Sequence, residues 1–208
     1  MTPWSPSCGS RRVRSHSVDT LSDDYYTLKR HRFEYRRSDG AWQRLERQTC
    51  SRGDGAVALL SSVDQRTVLL TRQFRMPLIE HGDNEGFLTE PPGGRIEADP
   101  PEDAIRREVE EETGRRVLSL KHVFTVYLAP TIIADVTHLY VGEYDGASGD
   151  GGGVANEGED IEVLELSLVE ALEMVDRGII VDGRAILLLQ HIQLHRNDPI
   201  TGSELCQI

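Results

Sequence analysis

The segment 93–114 constrains the fold most, because it predicts a helix with both ends marked in the sequence. Asp99 is a residue type favoured at a helix N-cap, and Pro100 suits the first helical position, where no backbone N–H is needed. Glu102 stands where a capping box has an acid. Gly114 suits the left-handed position that commonly ends a helix. Three apolar residues at helical spacing predict the buried face: Ala104, Ile105 and Val109.

Three glutamates in the last two turns of this helix point to chemistry. Glu111 and Glu112 follow Glu108 by three and four residues, so all three share one helix face. Like charges at this spacing repel, and the negative end of the helix dipole also disfavours them. Mg²⁺ prefers such carboxylate oxygens together with substrate phosphates. The glutamates therefore predict a divalent-metal site, and the alternative interpretation is a solvated acidic helix face.

The spacing of these acids resembles the box of the Nudix hydrolase superfamily. Its glycine, acid, Arg-Glu pair, Glu-Glu pair and closing glycine are here Gly93, Asp99, Arg107, Glu108, Glu111, Glu112 and Gly114. Two positions differ, since Asp99 replaces the usual Glu and Arg115 replaces an apolar residue. If Gly94 is the motif's glycine instead, the first loop is one residue shorter. The resemblance implies hydrolysis of a diphosphate linked to a further group.

Segments outside the box resemble the bacterial GDP-mannose hydrolase branch, over about residues 21–195. They are 21–25, 72–75, 151–154 with 159–166, and 182–184 before 187–189. Pro130, fifteen residues beyond Arg115, resembles a proline of ADP-ribose and related hydrolases. The resemblance implies hydrolysis of a nucleoside diphosphate sugar such as GDP-mannose to a nucleoside monophosphate and a sugar phosphate. ADP-ribose is the alternative substrate. A non-catalytic Nudix ligand sensor is a third hypothesis, which the intact box disfavours.

The same resemblance implies a set of metal ligands. Glu108 and Glu112 would be the main ligands, Glu111 would share the metal, and the Gly93 carbonyl and Glu159 would complete the coordination. The metal is expected to be Mg²⁺, with Mn²⁺ possible, because oxygen ligands suit both. Glu157 is an alternative to Glu159 in this acidic loop. Arg107 is expected to pair with the box carboxylates rather than to react itself.

The resemblance also implies residues that bind the substrate. Tyr25 and Arg47 would contact the nucleoside, Arg75 would hold the diphosphate, and Arg184 would lie near the substrate. For Tyr25 the alternative is core packing, and for Arg75 it is an ordinary surface charge. Glu111 and Asp135 are the candidates for a general base. Members of the branch form dimers whose N-terminal sheets cross to the partner, so a homodimer is expected.

The order of the predicted elements gives the domain organisation. Residues 1–19 are rich in Ser, Arg and Pro and predict a disordered tail, followed by a small antiparallel sheet over 20–54 with a hairpin turn at Asp39–Gly40. Residues 55–197 predict a Nudix domain, an α/β/α sandwich with a mixed sheet, and 198–208 a C-terminal tail. Within the domain, 79–90 predicts a polar loop. Strands are expected at 56–60, 67–74, 118–128, 136–143 and 161–166, and helices at 168–177 and 184–195.

Charge and composition exclude several classes of protein. The net charge of −12 disfavours a nucleic-acid-binding surface, which needs basic patches. No apolar run approaches the roughly 20 residues of a membrane helix. No apolar stretch follows the N-terminal arginines, so a secretory signal is not expected. The cysteines, Cys8, Cys50 and Cys206, show no metal or disulfide spacing and predict a cytoplasmic protein.

Overall fold

The computed structural model describes residues 12–62, 67–147, 151–153 and 160–195. The chain divides into two units. The smaller unit comprises Met1–Arg52 and Ala129–Asp135, and the larger unit comprises Gly53–Leu128 and Val136–Ile208. In the part of the chain that the structure describes, no helix has the length and hydropathy needed to cross a membrane.

The smaller unit contains a three-stranded antiparallel sheet of β1 (Val13–Asp23), β2 (Thr27–Arg36) and β3 (Trp42–Ser51), in that order. The predicted hairpin turn joins β2 to β3. Its Gly40 has φ +85°, a conformation that glycine adopts without steric cost, and the Asp39 carboxylate accepts a hydrogen bond from the Ala41 N–H. The antiparallel sheet expected here is confirmed.

The prediction of a disordered tail up to residue 19 is wrong from Val13 onward, because β1 begins there and pairs with β2. All eleven residues of β1 are exposed, so the strand has no apolar alternation to reveal it. Cross-strand contacts stabilise it instead: Arg14 pairs with Glu34 at 2.9 Å, and Arg32 pairs with Asp19. Residues 1–11 and the predicted tail 198–208 lie outside the described residues.

The larger unit contains a seven-stranded sheet. Its main path runs β10 (Glu162–Ser167), β5 (Thr67–Phe74), β4 (Gly55–Ser62), β9 (Thr137–Ala147) and β8 (Arg115–Val126), while β6 (Phe87–Glu90) pairs with β5 and β7 (Gly93–Arg95) pairs with β4. Strands β4 and β9 are parallel, and the other pairs are antiparallel. The expected mixed sheet is confirmed.

Helices pack on both faces of this sheet. The helices are α1 (Met76–Glu80), α2 (Pro101–Thr113), α3 (Leu168–Asp176) and α4 (Gly183–Leu194). Ile105 and Val109 of α2 join a buried cluster with side chains from β4 and β5, as the apolar stripe predicts. Ala171 of α3 and Leu188 of α4 belong to a second buried cluster with other residues of the same strands. The α/β/α sandwich is therefore confirmed.

Two local predictions are corrected. The expected polar loop 79–90 contains the end of α1 and the strand β6, which pairs with the end of β5. Helix α2 begins at Pro101, with Pro100 at its N-cap and no side-chain cap, so Asp99 is not the cap. The reason is steric, because Pro101 disfavours helical geometry at the residue before it, and Pro100 has an extended ψ of 145°. The predicted end at Gly114 is confirmed by its φ of +64°.

Candidate active site

The two glycines of β7 lie against the backbone of β4 and the side chains of α2. The Gly93 N–H donates a hydrogen bond to Glu112 Oε2 at 3.0 Å. A Cβ added at Gly93 would lie 2.7 Å from Val57 Cα and closer still to the Ala56 carbonyl oxygen. No larger residue fits there without moving the strand, so glycine at 93 lets the chain pass between β4 and the Glu112 carboxylate.

Gly94 gives the same space to the second carboxylate of the box. A Cβ at Gly94 would lie 2.5 Å from Glu108 Oε2 and 2.6 Å from Glu108 Cδ. Glu108 and Glu112 therefore both bring their carboxylates to the glycine backbone of β7 from adjacent turns of α2. Such a pair of carboxylates fits a hydrated Mg²⁺ ion, which keeps several waters and is bound by one or two carboxylates together with substrate phosphates.

The three glutamates of α2 differ in exposure and in their contacts. Glu112 is 3% exposed, Glu108 is half-buried and Glu111 is exposed. Arg107 pairs with Glu108 at 3.0 Å and with Glu111 at 3.2 Å. Burial acts to lower the pKa of Arg107, but the charges of Glu108, Glu111 and Asp99 outweigh it and raise the pKa. Arg107 therefore stays a cation beside the box, in agreement with the pairing role expected for it.

The complete predicted ligand set is not brought together in the structure. Glu159 and its alternative Glu157 lie outside the described residues. Among residues 12–62, 67–147, 151–153 and 160–195, no group of three or more His, Cys, Asp or Glu side chains is arranged to hold a metal ion. The roles of Glu108, Glu111, Glu112, Glu159 and the Gly93 carbonyl in metal binding therefore remain predictions.

A cluster of four charged residues lies at the end of β6, three residues before Gly93. Its centre is Glu90, which is only 2% exposed. Arg75 donates to Glu90 Oε1 from Nε at 2.8 Å and from Nη2 at 2.7 Å. Arg184 Nη2 donates to Glu90 Oε2 and, at 2.8 Å, to Asp182. The structure thus joins Arg75 and Arg184, two residues predicted separately to bind substrate, through one buried carboxylate.

Asp182 completes this cluster and also caps α4. Its Oδ1 accepts hydrogen bonds from the N–H groups of Arg184 and Ala185, both at 2.9 Å. Burial acts to lower the pKa of Arg184, but Asp182 and Glu90 raise it overall. Sequence reasoning missed Glu90 and Asp182 as site residues. The only signal for Glu90 was its place directly before the Pro-Pro-Gly-Gly turn, which does not reveal a partner 94 residues away.

The other three predicted site residues belong to the smaller unit. Tyr25 is exposed, with the Arg52 guanidinium 4.5 Å from its ring centroid, so the alternative of core packing is wrong. Arg47 is exposed and donates to the Glu46 carbonyl at 2.7 Å. Asp135 accepts hydrogen bonds from the Ser51 hydroxyl and, at 2.7 Å, from the Arg52 N–H, so it fixes the segment 129–135 to the end of β3. Their contacts with substrate remain predictions.

Two family models match the chain and together span most of it. The model of the NUDIX domain matches residues 51–186. The model described as the GDP-mannose pyrophosphatase NudK N-terminal domain matches residues 12–49. The boundary between the two matches falls at the junction of the two structural units, close to Arg52.

Curated relatives match this chain over most of their own length. A GDP-mannose pyrophosphatase of Cronobacter sakazakii is 43% identical over 176 residues, which are 84% of this chain and 91% of that protein. One of Pectobacterium atrosepticum is 41% identical over 171 residues, 82% of this chain and 89% of that protein. A solved ADP compounds hydrolase has the same fold, with a TM-score of 0.67, 16% identity, and coverage of 92% of this chain and 100% of that one. The chain belongs to the Nudix hydrolase family.

Proposed function

We propose that this protein hydrolyses the diphosphate of GDP-mannose in the presence of Mg²⁺. One water is consumed, the bridging phosphoanhydride bond breaks, and the products are GMP and mannose 1-phosphate. The observation that carries the chemistry is the placement of the Glu108 and Glu112 carboxylates against the glycine backbone of β7. The similarity to GDP-mannose pyrophosphatases at 43% and 41% identity supports the choice of substrate.

Divalent metal is the proposed cofactor, with Mg²⁺ favoured and Mn²⁺ as the alternative. Glu108 and Glu112 would hold it, Glu111 would share it, and the Gly93 carbonyl and Glu159 would complete the site. When bound, the metal supplies positive charge at the diphosphate and lowers the pKa of a coordinated water. This charge explains how a chain of net charge −12 attracts an anionic substrate.

The base that accepts the proton of the attacking water is proposed to be Glu111. Its carboxylate is exposed on the same face of α2 as Glu108, and Arg107 contacts it at 3.2 Å. Asp135 is the less favoured candidate, because Ser51 and Arg52 already donate hydrogen bonds to its carboxylate.

A homodimer in the cytoplasm is proposed for the assembled enzyme. The match of residues 12–49 to a separate N-terminal family model supports a distinct role for this sheet. In the dimer, Tyr25 and Arg47 of one copy would contact the nucleoside bound by the other. Light scattering of the full chain should give twice the mass of 23.3 kDa, and a monomer at micromolar concentration would contradict the proposal.

The test of the proposed function is phosphate release with a coupled phosphatase from GDP-mannose, ADP-ribose, UDP-glucose and NADH in Mg²⁺. Wild type should turn over GDP-mannose fastest. Glu112→Gln removes a charged ligand and should lower kcat by about a thousandfold or more, since such metal sites contribute several kcal/mol to the transition state. The matched control is Glu110→Gln, an exposed residue of the same helix, which should keep wild-type rates.

The substrate panel separates the alternatives. Faster turnover of ADP-ribose than of GDP-mannose would contradict the proposed substrate and leave the hydrolase chemistry intact. Full activity of Glu112→Gln would contradict the assignment of the metal site. Inactivity of the wild type on all four compounds would contradict the proposed substrate class and favour a ligand sensor.

A further inference from the structure

We propose that Glu90 is a positioning residue that fixes Arg75 for contact with the diphosphate, with Arg184 and Asp182 as its support. The inference rests on the proposed function, because it concerns how the same site binds its anionic substrate. Four observations carry it: the burial of Glu90, the exposure of Arg75 and its bonding to one carboxylate, the bonding of Arg184 to two carboxylates, and the anchoring of Asp182 to α4.

Glu90 is almost fully buried, so its charge must be balanced within the protein. Two arginines balance it, one at each carboxylate oxygen. Arg75 bonds to Oε1, and Arg184 bonds to Oε2, so each carboxylate oxygen has one guanidinium partner. A carboxylate bonded at both oxygens has little freedom to rotate. Glu90 is therefore a rigid anchor for whatever it contacts.

Both arginines bond through the Nε and Nη2 edge of the guanidinium, but they differ in how many carboxylates they contact and in exposure. Arg184 donates from Nε and Nη2 to the carboxylates of Asp182 and Glu90, and its side chain is only 22% exposed. Arg75 uses one edge of its guanidinium, Nε and Nη2, on a single oxygen of Glu90, and its side chain is 40% exposed. A guanidinium has five N–H donors, and Nη1 bonds to no described residue in either arginine. Because Arg75 is the more exposed of the two, its Nη1 is the one that an anion reaches.

This difference assigns distinct roles to Arg75 and Arg184, which were both predicted from the sequence to bind substrate. Arg75 binds the diphosphate, as expected, whereas Arg184, which is less exposed and bonded to two carboxylates, fixes Glu90 in place. Asp182 fixes Arg184 by accepting from its side chain and from its backbone N–H at the start of α4. A chain of ion pairs thus connects the N-terminus of α4 to one substrate-binding guanidinium, in the order Asp182, Arg184, Glu90 and Arg75.

The charges of the cluster also favour this division. Two arginines and two acids are neutral together, so the cluster does not attract an anion by net charge. Its contribution comes from a preordered donor pair at Arg75, because a guanidinium held in place loses less conformational entropy when it binds.

Glu90→Gln should release Arg75 and raise KM for GDP-mannose by about tenfold, with a much smaller change in kcat. The opposite pattern, a fall in kcat at unchanged KM, would overturn the inference.

A double-mutant cycle tests whether Glu90 acts through Arg75. Glu90→Gln should lower kcat/KM by about tenfold in the wild-type background and by less than about twofold in an Arg75→Met background. Arg184→Lys keeps the positive charge but loses the paired donors of the guanidinium, and its effect should depend on Arg75 in the same way. This variant replaces Glu90→Gln in the test if Glu90→Gln folds poorly. Glu85→Gln, an exposed acid beside Arg72, is the matched control and should leave both constants unchanged.

Equal losses in both backgrounds would show that Glu90 acts on the fold in general and would overturn the inference. Binding of inorganic pyrophosphate in Mg²⁺ buffer, measured by calorimetry, repeats the cycle without turnover. Glu90→Gln should weaken this binding only where Arg75 is present, and additive losses would again overturn the inference. Failure of the proposed function looks different, because the wild type would then not cleave GDP-mannose while the pyrophosphate cycle would still report the coupling.

Discussion

The two units of the chain differ in how much of their strands is buried. In the larger unit, β4 and β5 are almost continuous buried apolar runs, and helices cover both faces of the sheet. In the smaller unit, none of the residues of β1, β2 or β3 is buried. Burial of apolar side chains is the dominant favourable term in folding, so the two sheets cannot be stabilised to the same degree.

The smaller unit relies instead on contacts between exposed and half-buried side chains. Arg14 pairs with Glu34 and lies 3.9 Å over the Trp42 ring, and Arg32 pairs with Glu46 at 3.0 Å. Exposed ion pairs contribute little because water and salt screen them. A three-stranded sheet without a buried face is marginal alone, which supports the proposal that it gains stability from a second copy.

The larger unit, by contrast, holds its charged groups in fixed positions. Glu90 and Glu112 are both nearly inaccessible, one between two arginines and the other against the Gly93 amide. Side chains that are packed and hydrogen-bonded in this way keep one geometry more closely than side chains on loops and exposed strands do. The comparison predicts that small steric changes in the larger unit affect activity strongly, while changes in the smaller sheet have weak effects on stability.

Among the changes that test this comparison between the two units, the largest effect is expected from Gly94→Ala. The added Cβ would lie 2.5 Å from Glu108 Oε2, so the carboxylate must move away from β7. A displacement of about 1 Å at a catalytic group can reduce the rate about a hundredfold, and kcat for GDP-mannose should fall by this amount. Gly146→Ala is the control, because a Cβ there meets no atom within 4 Å. Wild-type kcat in Gly94→Ala would show that Glu108 is not confined by the glycine backbone.

The parts of this site that depend on local spacing could be predicted from the sequence. The apolar stripe, the left-handed Gly114 and the three glutamates all lie within one helix, where positions three and four apart are adjacent. The start of α2 was missed because the pair Pro100–Pro101 overrides the capping preference of Asp99.

Contacts between residues that lie far apart in the chain could not be predicted from the sequence. Arg184 reaches Glu90 across 94 positions, and nothing in either local sequence shows that the two will meet. Strand β1 was missed for a related reason, because all of its residues are exposed and give no periodic apolar signal. Patterns of hydrophobicity reveal buried faces, so they do not find a strand that lacks one.

A matched pair of valine substitutions tests the difference in burial directly. Val68 of β5 is 1% exposed and Val18 of β1 is 47% exposed. Val68→Ala should lower the free energy of unfolding by about 2 kcal/mol, since it removes two buried methyl groups and leaves a cavity. Val18→Ala should change it by less than about 0.5 kcal/mol. Chemical denaturation measures both values, and a loss at Val18 as large as at Val68 would mean that β1 is buried in the assembled protein.

The smallest effect is expected from acid on the exposed ion pairs of the smaller sheet. The hydrogen bond from Arg14 lowers the pKa of Glu34 below that of an ordinary glutamate. A depressed pKa means that the carboxylate stabilises the fold above its unfolded pKa, near 4.3, and that this contribution is lost as pH falls through the folded pKa. Amide exchange in β1 and β2 should therefore accelerate slightly below about pH 4.

Substitutions show whether this acid response comes from Glu34. In Glu34→Gln the group cannot titrate, so exchange in the two strands should already be faster at neutral pH and should depend less on acid. In Arg14→Gln the pKa of Glu34, followed by NMR of its carboxyl carbon, should rise towards the ordinary glutamate value. If Glu34 titrates identically with and without Arg14, the cross-strand pair does not stabilise β1, and another interaction must fix this strand in the sheet.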